Sequence, residues 1–299
     1  MKKKLFVEVT ESQGDRAKKE SQFKEVWYRL RKNKSAMIGL AILVFFILVA
    51  LFADVIAPYD TAILQDRTAR LQAPSAEHFF GTDHLGRDVF ARVVQGSRVS
   101  LSIGLFTSLG SLAVAVVLAS AAAYYGGVLE SIVMRVVDVF MCIPSILLSL
   151  AVVAALGPSM INLLIAMMIS AIPSKVRLIR SAILNVIDQE YVEAAKAYGS
   201  NDARVICKYI LPNALGIIIV DTTMGIAGTI LGAASLSFIG MGIQPPAPEW
   251  GSMLSDASDF LRKAPYLLLY PGISILLSAM SCNLLGDGLR DAFDPKLRD

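Results

Sequence analysis

Two carboxylates stand inside long apolar stretches of this chain, where an ionisable group is costly to place. Asp138 and Asp221 fall in segments with few other charges, and each is by default a candidate for function. Asp221 lies near the small residues Gly225–Gly228, so we expect it to line a polar pathway and to meet an amine or a cation there. The alternative is that Asp221 faces another subunit. Asp138 follows Arg135 by one helical turn, and we expect these two to pair within one helix.

Metal, covalent and nucleotide chemistry have little support in the sequence. Cys142, Cys207 and Cys282 show no CxxC or similar spacing, so neither a metal knuckle nor a disulfide framework is indicated. His78 and His84, six residues apart, are weak support for a metal relay. The dipeptide Gly-Lys does not occur, so the chain has no P-loop lysine and is not itself an ATPase. We predict no catalytic residue, no bound metal and no cofactor.

The composition is that of a chain lying mostly in a bilayer. Hydrophobic residues make up 55% of the 299 residues and charged residues 18%, whereas a soluble domain is about 45–50% apolar and about 25% charged. The mean hydropathy is +0.59, and the net charge of +3 gives no reason to expect nucleic acid as a partner. Six stretches approach or exceed the roughly 20 apolar residues that a spanning helix needs, namely residues 36–53, 99–129, 132–156, 159–179, 213–240 and 264–286. The predicted fold class is an all-α integral membrane protein with six transmembrane helices.

The same pattern divides the chain into regions and orients it. Six spans put both termini on one side, and all but seven of the 28 Lys and Arg residues lie on that side, which should be cytoplasmic by the positive-inside rule. Residues 21–34 additionally fit a short basic amphipathic helix at the lipid headgroups, or equally a solvated positive flank. The predicted regions are a basic tail (1–35), a first anchor helix (36–57), an external loop (58–98), a transmembrane domain (99–290) with a cytoplasmic segment (175–212), and a C-terminal tail (291–299).

The segment 175–212 is too polar to cross a membrane, yet its pattern favours helix. Residues 190–198 fit two to three turns, and Gly199 follows them as a left-handed C-cap. Asn201 or Asp202 can then cap a second helix that leads into the fifth span.

The first of these two helices has the properties of a docking element. Glu193 projects beside Ala194 and Ala195, which allow close approach of another backbone, and its carboxylate offers charge-assisted bonds to a basic partner. From the residues alone, packing of this helix on its own bundle is an equally good interpretation.

A motif in this segment bears on that choice. It reads E-A-A-x3-G, followed twelve residues later by L-P, and consists of Glu193, Ala194, Ala195, Gly199, Leu211 and Pro212. It resembles the EAA signature of the permeases of ATP-binding-cassette importers. The resemblance implies that this helix is the coupling helix, which docks into a cleft of a separate ATP-binding subunit.

Further motifs resemble one branch of that family, the C-type subunits of dipeptide, oligopeptide and nickel permeases. Phe80–Asp88 matches FGTDxLGRD, with Gly81, Thr82, Asp83, Gly86, Arg87 and Asp88 as its defining residues. The segments 235–251 and 283–291 also match that branch. The chain departs from it at Ile172-Pro173, where an aromatic residue is common, and at residues 232–234, which lack an acidic residue.

The resemblance implies the fold of a type I importer permease, located in the inner or plasma membrane of a prokaryote. The implied partners are a homologous B-type permease subunit, two ATP-binding subunits, an extracytoplasmic binding protein and membrane lipid. Di- and oligopeptides are the expected substrates, with nickel, a nickel chelate or glutathione as alternatives. An ion-coupled secondary transporter would need repeats or several intramembrane carboxylates and no docking loop, and a membrane-embedded enzyme would need a cluster of reactive side chains.

Overall fold

The computed structural model describes residues 24–294; segments 1–23 and 295–299, which hold most of the predicted basic tail and the chain's last residues, lie outside this range. The described chain consists of helices and their connections, with one isolated antiparallel bridge between Thr82 and Asp88. The helices are α1 (24–32), α2 (Lys34–Leu51), α3 (Ala53–Ile56), α4 (Tyr59–Ile63), α5 (Val89–Tyr125), α6 (Gly127–Met141), α7 (Ser145–Leu156), α8 (Met160–Ile187), α9 (Glu190–Ala197), α10 (Asp202–Val205), α11 (Leu211–Phe238), α12 (Trp250–Ala257) and α13 (Tyr266–Phe293).

Five helical runs are long and apolar enough to cross a membrane. They are α2, α5, α8, α13 and the run Asp202–Phe238, which joins α10 to α11. The bent pair α6 and α7 makes a sixth if it is counted as one span. The prediction of an all-α membrane protein with six spans is confirmed.

α5 begins earlier than the hydropathy pattern indicates. The carboxylate of Asp88 accepts a hydrogen bond from the backbone N–H of Ala91 at 2.8 Å and caps the helix, which starts at Val89, inside the predicted loop 58–98. Its first turns carry polar residues that hydropathy assigns to a loop, although the fold buries them. The helix ends at Gly126, whose φ of 63° favours glycine, so residues 127–129 belong to α6 rather than to this span.

The predicted span 132–156 is wrong as a single helix. α6 and α7 meet at an angle of 87°, with the break at residues 142–144. Pro144 explains the break, because its ring fixes φ, here at −53°, and disfavours helical geometry in the residue before it. The predicted hairpin break at Gly157 is confirmed, since Gly157 ends α7 with φ of 86°.

The bundle has two distinct ends. At the end that carries α9, called the α9 end, the side chain of Asn33 donates to Asp291, and Gly216 at the start of α11 packs on Phe293. At the opposite end, called the loop end, the hydroxyl of Tyr266 donates to a backbone carbonyl of the connection between α4 and α5. Both ends of the described chain therefore lie at the α9 end.

Small residues bring the first span close to the last one. A Cβ on Gly39 of α2 would lie 2.8 Å from the Cβ of Leu284, and a Cβ on Gly288 of α13 would overlap the Cβ of Ala36. Helices in lipid associate through such close packing, because lipid tails are as apolar as the side chains that they replace. The α2–α13 contact thus depends on glycine at both positions.

Gly288→Ala should lower stability, because the added methyl group forces α2 away from α13. Overpacking of this kind costs about 1–3 kcal/mol, so the thermal midpoint of the purified protein in detergent should fall by several degrees. Gly272→Ala in the same helix is the matched control, since a Cβ there meets only Leu254 Cδ2 at 3.9 Å. Equal midpoints for the two variants would contradict the close approach.

Candidate functional site

α9 packs one face against the rest of the bundle and leaves the opposite face exposed. Val192 is fully buried in a cluster that includes Ile179 and Val205, and Ala195 is 6% exposed. Glu193 and Ala194 are exposed. The prediction that both alanines lie flush on the outward face is wrong for Ala195, which follows Val192 by three residues and shares its inward face.

The turn after α9 has the predicted form. Gly199 has φ of 74°, and nothing lies within 4 Å of where its Cβ would be, so backbone conformation rather than crowding requires glycine there. The N–H of Ser200 donates to the carbonyl of Ala195 at 3.1 Å, which closes the end of the helix. Asn201 then caps α10 by accepting from the N–H of Arg204 at 2.9 Å. Both predicted caps are confirmed.

α9 is connected to its neighbouring spans by short links. α8 continues through its polar residues to Ile187, and α9 begins three residues later at Glu190. On the other side, α10 runs through a π-helical turn, Ile206–Ile210, into α11, which opens with Leu211 and Pro212. Proline is tolerated there because the first turn of a helix leaves its N–H groups unbonded. Only short connections therefore separate α9 from α8 and from the run that ends in α11.

Two tyrosines at the end of α5 hold this region in place. Their hydroxyl groups donate to the carboxylate of Asp202, at 2.8 Å from Tyr124 and 3.2 Å from Tyr125. The ammonium of Lys196 in α9 lies 5.0 Å from the ring centre of Tyr124, within range of a cation–π interaction. The sequence gives no signal for these contacts, because the partners lie more than 70 residues apart.

A largely buried ion pair joins α8 to α11. Nζ of Lys175 lies 2.9 Å from Oδ2 of Asp221, and the two side chains are 7% and 31% exposed. Lys175 starts the predicted polar segment, whereas in the structure α8 carries it into the bundle. Asp221 lies within the fifth span as predicted. The predicted fourth span, 159–179, already includes Lys175, but the sequence gives no signal for its pairing with Asp221, 46 residues away.

A groove adjoins this ion pair. It measures about 340 Å³, runs between α7, α8 and α11, and is lined by hydroxyl-bearing and small residues that include Ser149, Ser170, Ser174, Thr229, Gly228 and Gly232. Lys175 and Asp221 both line it. The groove thus combines several hydroxyl groups and the ion pair with apolar residues such as Met167 and Leu236.

The motif at residues 80–88 shapes the connection between α4 and α5. Gly81 and Gly86 have φ of 76° and 80°, and a Cβ on Gly86 would overlap the carbonyl oxygen of Asp66. Thr82 is fully buried and accepts from the N–H of Gln72 at 2.9 Å. These residues fold the loop rather than present a surface.

The charged residues of the motif clamp the loop to α12. The carboxylate of Asp83 accepts from the N–H of Leu85 at 2.8 Å and from Nε of Arg87 at 2.6 Å. Nη2 of Arg87 donates to Asp256 of α12 at 3.1 Å, and Arg92 lies 3.7 Å from Asp83 and 3.9 Å from Asp256. Both arginines are almost fully buried, so their charges depend on these two carboxylates.

Two further carboxylates near the loop end have shifted pKa values. Glu249 caps α12 by accepting two backbone N–H groups at 2.8 Å each, and its burial raises the pKa of its carboxyl group. Hydrogen bonds from Gln95 and Arg98 lower the pKa of Asp54, which is exposed. Glu249 thus favours its protonated form more than an exposed glutamate does, and Asp54 favours its charged form.

The expected pairing of Asp138 with Arg135 is wrong. Asp138 of α6 pairs with Arg177 of α8 at 2.5 Å, and Arg180 of α8 pairs with Glu130 of α6. The neighbouring helix brings a guanidinium group directly opposite each carboxylate. These pairs tie α6 to α8 near the α9 end.

The two histidines take part in folding the loop. Nδ1 of His78 lies 2.8 Å from Asp88, the residue that caps α5, and the ring of His84 stacks on Phe260 at 5.3 Å. Among residues 24–294, no group of three or more His, Cys, Asp or Glu residues is placed to hold a metal ion.

Comparison with known protein families gives two matches. Residues 113–299 match the inner membrane component of binding-protein-dependent transport systems. Residues 21–74 match the N-terminal transmembrane domain of oligopeptide transport permease C. Together the two matches cover both the first span and the bundle that carries α9.

Individual relatives match along most of their length. The dipeptide transport system permease protein DppC of Alkalihalophilus pseudofirmus is 46% identical over 93% of this chain and 91% of its own. The di/tripeptide permease DppC of Pseudomonas aeruginosa is 40% identical over 93% of this chain and 94% of its own. The glutathione permease GsiD of Escherichia coli is 42% identical over 92% of this chain and 90% of its own. A chain of the inward-facing MetNI methionine ABC transporter superposes with a TM-score of 0.56 at 17% identity, over 68% of this chain and 97% of its own, a likeness of fold.

Arg87→Gln should destabilise the loop end, because it leaves Asp83 buried without its closest cation. Breaking a buried pair costs about 3–5 kcal/mol, whereas Arg98→Gln, which breaks the exposed pair with Asp54 at 3.0 Å, should cost only about 0–1 kcal/mol. Thermal midpoints of the two purified variants in detergent provide the measurement. A smaller effect for Arg87→Gln than for Arg98→Gln would show that the clamp does not hold the loop.

Proposed function

The chain belongs to the family of inner membrane components of binding-protein-dependent transport systems, and we propose that it forms half of the pathway of an ATP-driven importer for di- and oligopeptides. The observation that carries this proposal is α9, a helix with one exposed face that is connected by short links to the two spans beside the groove. The names of two relatives, a dipeptide and a di/tripeptide permease, support the substrate class. A homologous permease subunit supplies the other half of the pathway.

The outward face of α9 is the proposed docking surface for an ATP-binding subunit. Glu190, Glu193 and Ala194 are exposed on it, and Tyr198, just beyond the helix, is 91% exposed. Carboxylates form charge-assisted hydrogen bonds with basic partners, and an exposed tyrosine is the kind of side chain that dominates interface energies. One ATP-binding subunit docks here, and a second docks on the homologous permease. ATP hydrolysis belongs to these subunits, because this chain has no P-loop lysine.

The distribution of basic residues supports an orientation in the membrane. The described residues Arg177, Arg180, Lys196, Arg204 and Lys208 are in or near the α9 end. Of the seven basic residues assigned outside, five belong to the connections of the loop end and two to the first turns of α5, namely Arg67, Arg70, Arg87, Arg262 and Lys263, and Arg92 and Arg98. By the positive-inside rule the α9 end faces the cytoplasm, and the membrane is the inner membrane of a bacterium. The external binding protein then delivers its peptide at the loop end.

The mechanism follows from the short connections on both sides of α9. Closure of the ATP-binding subunits displaces α9, and α8 and α11 move with it, so the groove between them opens to one side of the membrane at a time. This is alternating access by rigid-body movement of packed helices. The chemistry of hydrolysis takes place outside this chain, which converts the movement into a change of access.

Glutathione is the second candidate substrate. The glutathione permease of Escherichia coli is 42% identical, close to the values for the peptide permeases, and glutathione is itself a small peptide. Transport assays with the cognate binding protein, loaded either with a dipeptide or with glutathione, separate the two substrates.

Glu193→Lys should uncouple the permease from its ATP-binding subunits, because it reverses the charge in the middle of the docking face. Loss of a charge pair at an interface costs about 2–5 kcal/mol, so co-purification of the ATP-binding subunits with tagged permease should fall by at least about tenfold. Transport by the reconstituted importer should fall with it, while the amount of permease in the membrane stays the same.

Glu77→Lys is the control for this prediction. Glu77 is exposed at the opposite end of the bundle, so the same reversal of charge should leave co-purification unchanged. Normal co-purification and transport with Glu193→Lys would refute the assignment of α9 as the docking surface.

A further inference from the structure

The Lys175–Asp221 pair lies deep within two spans. Lys175 is near the middle of α8, and Asp221 lies about three turns into α11. The ammonium group carries three donors, yet within residues 24–294 it donates to a single acceptor, Oδ2 of Asp221 at 2.9 Å. Gly225 makes room for it, since a Cβ there would lie 3.2 Å from Nζ. Stability alone is a poor explanation for a deep ion pair with unused donors, because apolar residues of the same volume often stabilise a fold as well or better.

The groove on one side of the pair matches the chemistry of a short peptide. Its volume of about 340 Å³ falls within the roughly 300–1,000 Å³ of small-molecule sites. Ser170, Ser174 and Thr229 each donate to a carbonyl of their own helix at 2.8–3.0 Å, so their oxygens keep lone pairs for another donor. The N–H groups of a peptide are such donors. Ser149 adds a fourth hydroxyl, 2.8 Å from that of Ser170.

A second cavity begins on the other side of the pair. It measures about 520 Å³ and is bounded by α8, α11 and the end of α13, with Leu178, Ile217, Met224 and Phe293 among its lining residues. Asp221 lines this cavity as well as the groove. The two spaces meet at Asp221 on the seam between α8 and α11, and its partner Lys175 lies on the groove side of this junction.

We propose that Lys175 and Asp221 form a gate that opens by exchange of charges with a zwitterionic peptide. The ammonium group of the peptide replaces Lys175 at Asp221, and its terminal carboxylate replaces Asp221 at Lys175. Each buried charge then keeps a partner of opposite sign throughout, which avoids the cost of an unpaired ion away from water. A solute without both charges cannot make this exchange, so the gate selects peptides with free termini. This inference rests on the proposed function, because it requires peptides to reach the groove.

The test uses the complete importer in proteoliposomes, with a radiolabelled dipeptide, alanyl-alanine, delivered by its binding protein. The double variant Lys175→Met/Asp221→Asn removes both charges together and leaves neither unpaired. It should assemble and hydrolyse ATP within about twofold of the wild type, yet carry at least about tenfold less peptide per ATP hydrolysed. If the pair has only a structural role, the double variant should carry as much peptide per ATP hydrolysed as the wild type does. That result would overturn the gate.

The matched control removes another ion pair from the same helix. Arg177→Met/Asp138→Asn neutralises a half-exposed pair between α8 and α6, away from the groove, and should transport as the wild type does. If the wild-type importer carries no dipeptide, the proposed function fails and the gate with it. If both the wild type and the Lys175/Asp221 double variant carry it equally, the gate alone fails.

A second variant covers the case in which the neutral double variant does not assemble. Lys175→Asp/Asp221→Lys reverses the pair and keeps both charges at the junction, so it should assemble and retain transport within about tenfold of the wild type. Normal assembly without transport by the reversed pair would overturn the gate.

Discussion

Pairing of charges away from water determines how the functional parts of this permease are held together. Arg87 and Arg92 depend on Asp83 and Asp256, and this cluster fixes the connection between α4 and α5 to α12. The Lys175–Asp221 pair fixes α8 to α11 beside the groove. In a low-dielectric interior a charge that loses its partner is costly, so these contacts are kept or exchanged as pairs. That constraint fixes the loop to α12, and in the proposed gate it makes the seam between α8 and α11 respond to a charged substrate.

Helical continuity links this seam to the exposed helix. α8 reaches α9 with a break of two residues, and α10 with its π-helical turn runs directly into α11. α9 is further held by Val192 in the core and by the contacts of Asp202 with the end of α5. Its outward face is thus joined by short connections to the two helices that carry Lys175 and Asp221. In the proposed function, docking of a motor at one end of the bundle and release of substrate in its middle are parts of one movement.

The fold class, the spans, the caps around α9 and the burial of Asp221 in a span were predictable from sequence, because each depends on local composition or on residues a few positions apart. Gly199 as a C-cap and Asn201 as an N-cap are examples. The break at Pro144, the partner of Asp138 and the inward position of Lys175 were not predicted. The two pairings depend on contacts between helices, which place an arginine 39 residues away opposite Asp138 and an aspartate 46 residues away opposite Lys175. Pro144 is itself a local signal for a helix break, but the apolar residues around it favoured the prediction of one continuous span.

Site-specific photo-cross-linking on α9 tests the central claim most directly, that its outward face contacts an ATP-binding subunit. A photo-reactive residue is placed at Ala194, which is exposed, or at Ala195, which is 6% exposed and faces the bundle. In the assembled importer, position 194 should form an adduct with the ATP-binding subunit and position 195 should not. No adduct at 194, or equal adducts at both positions, would contradict the assignment of α9 as the docking surface.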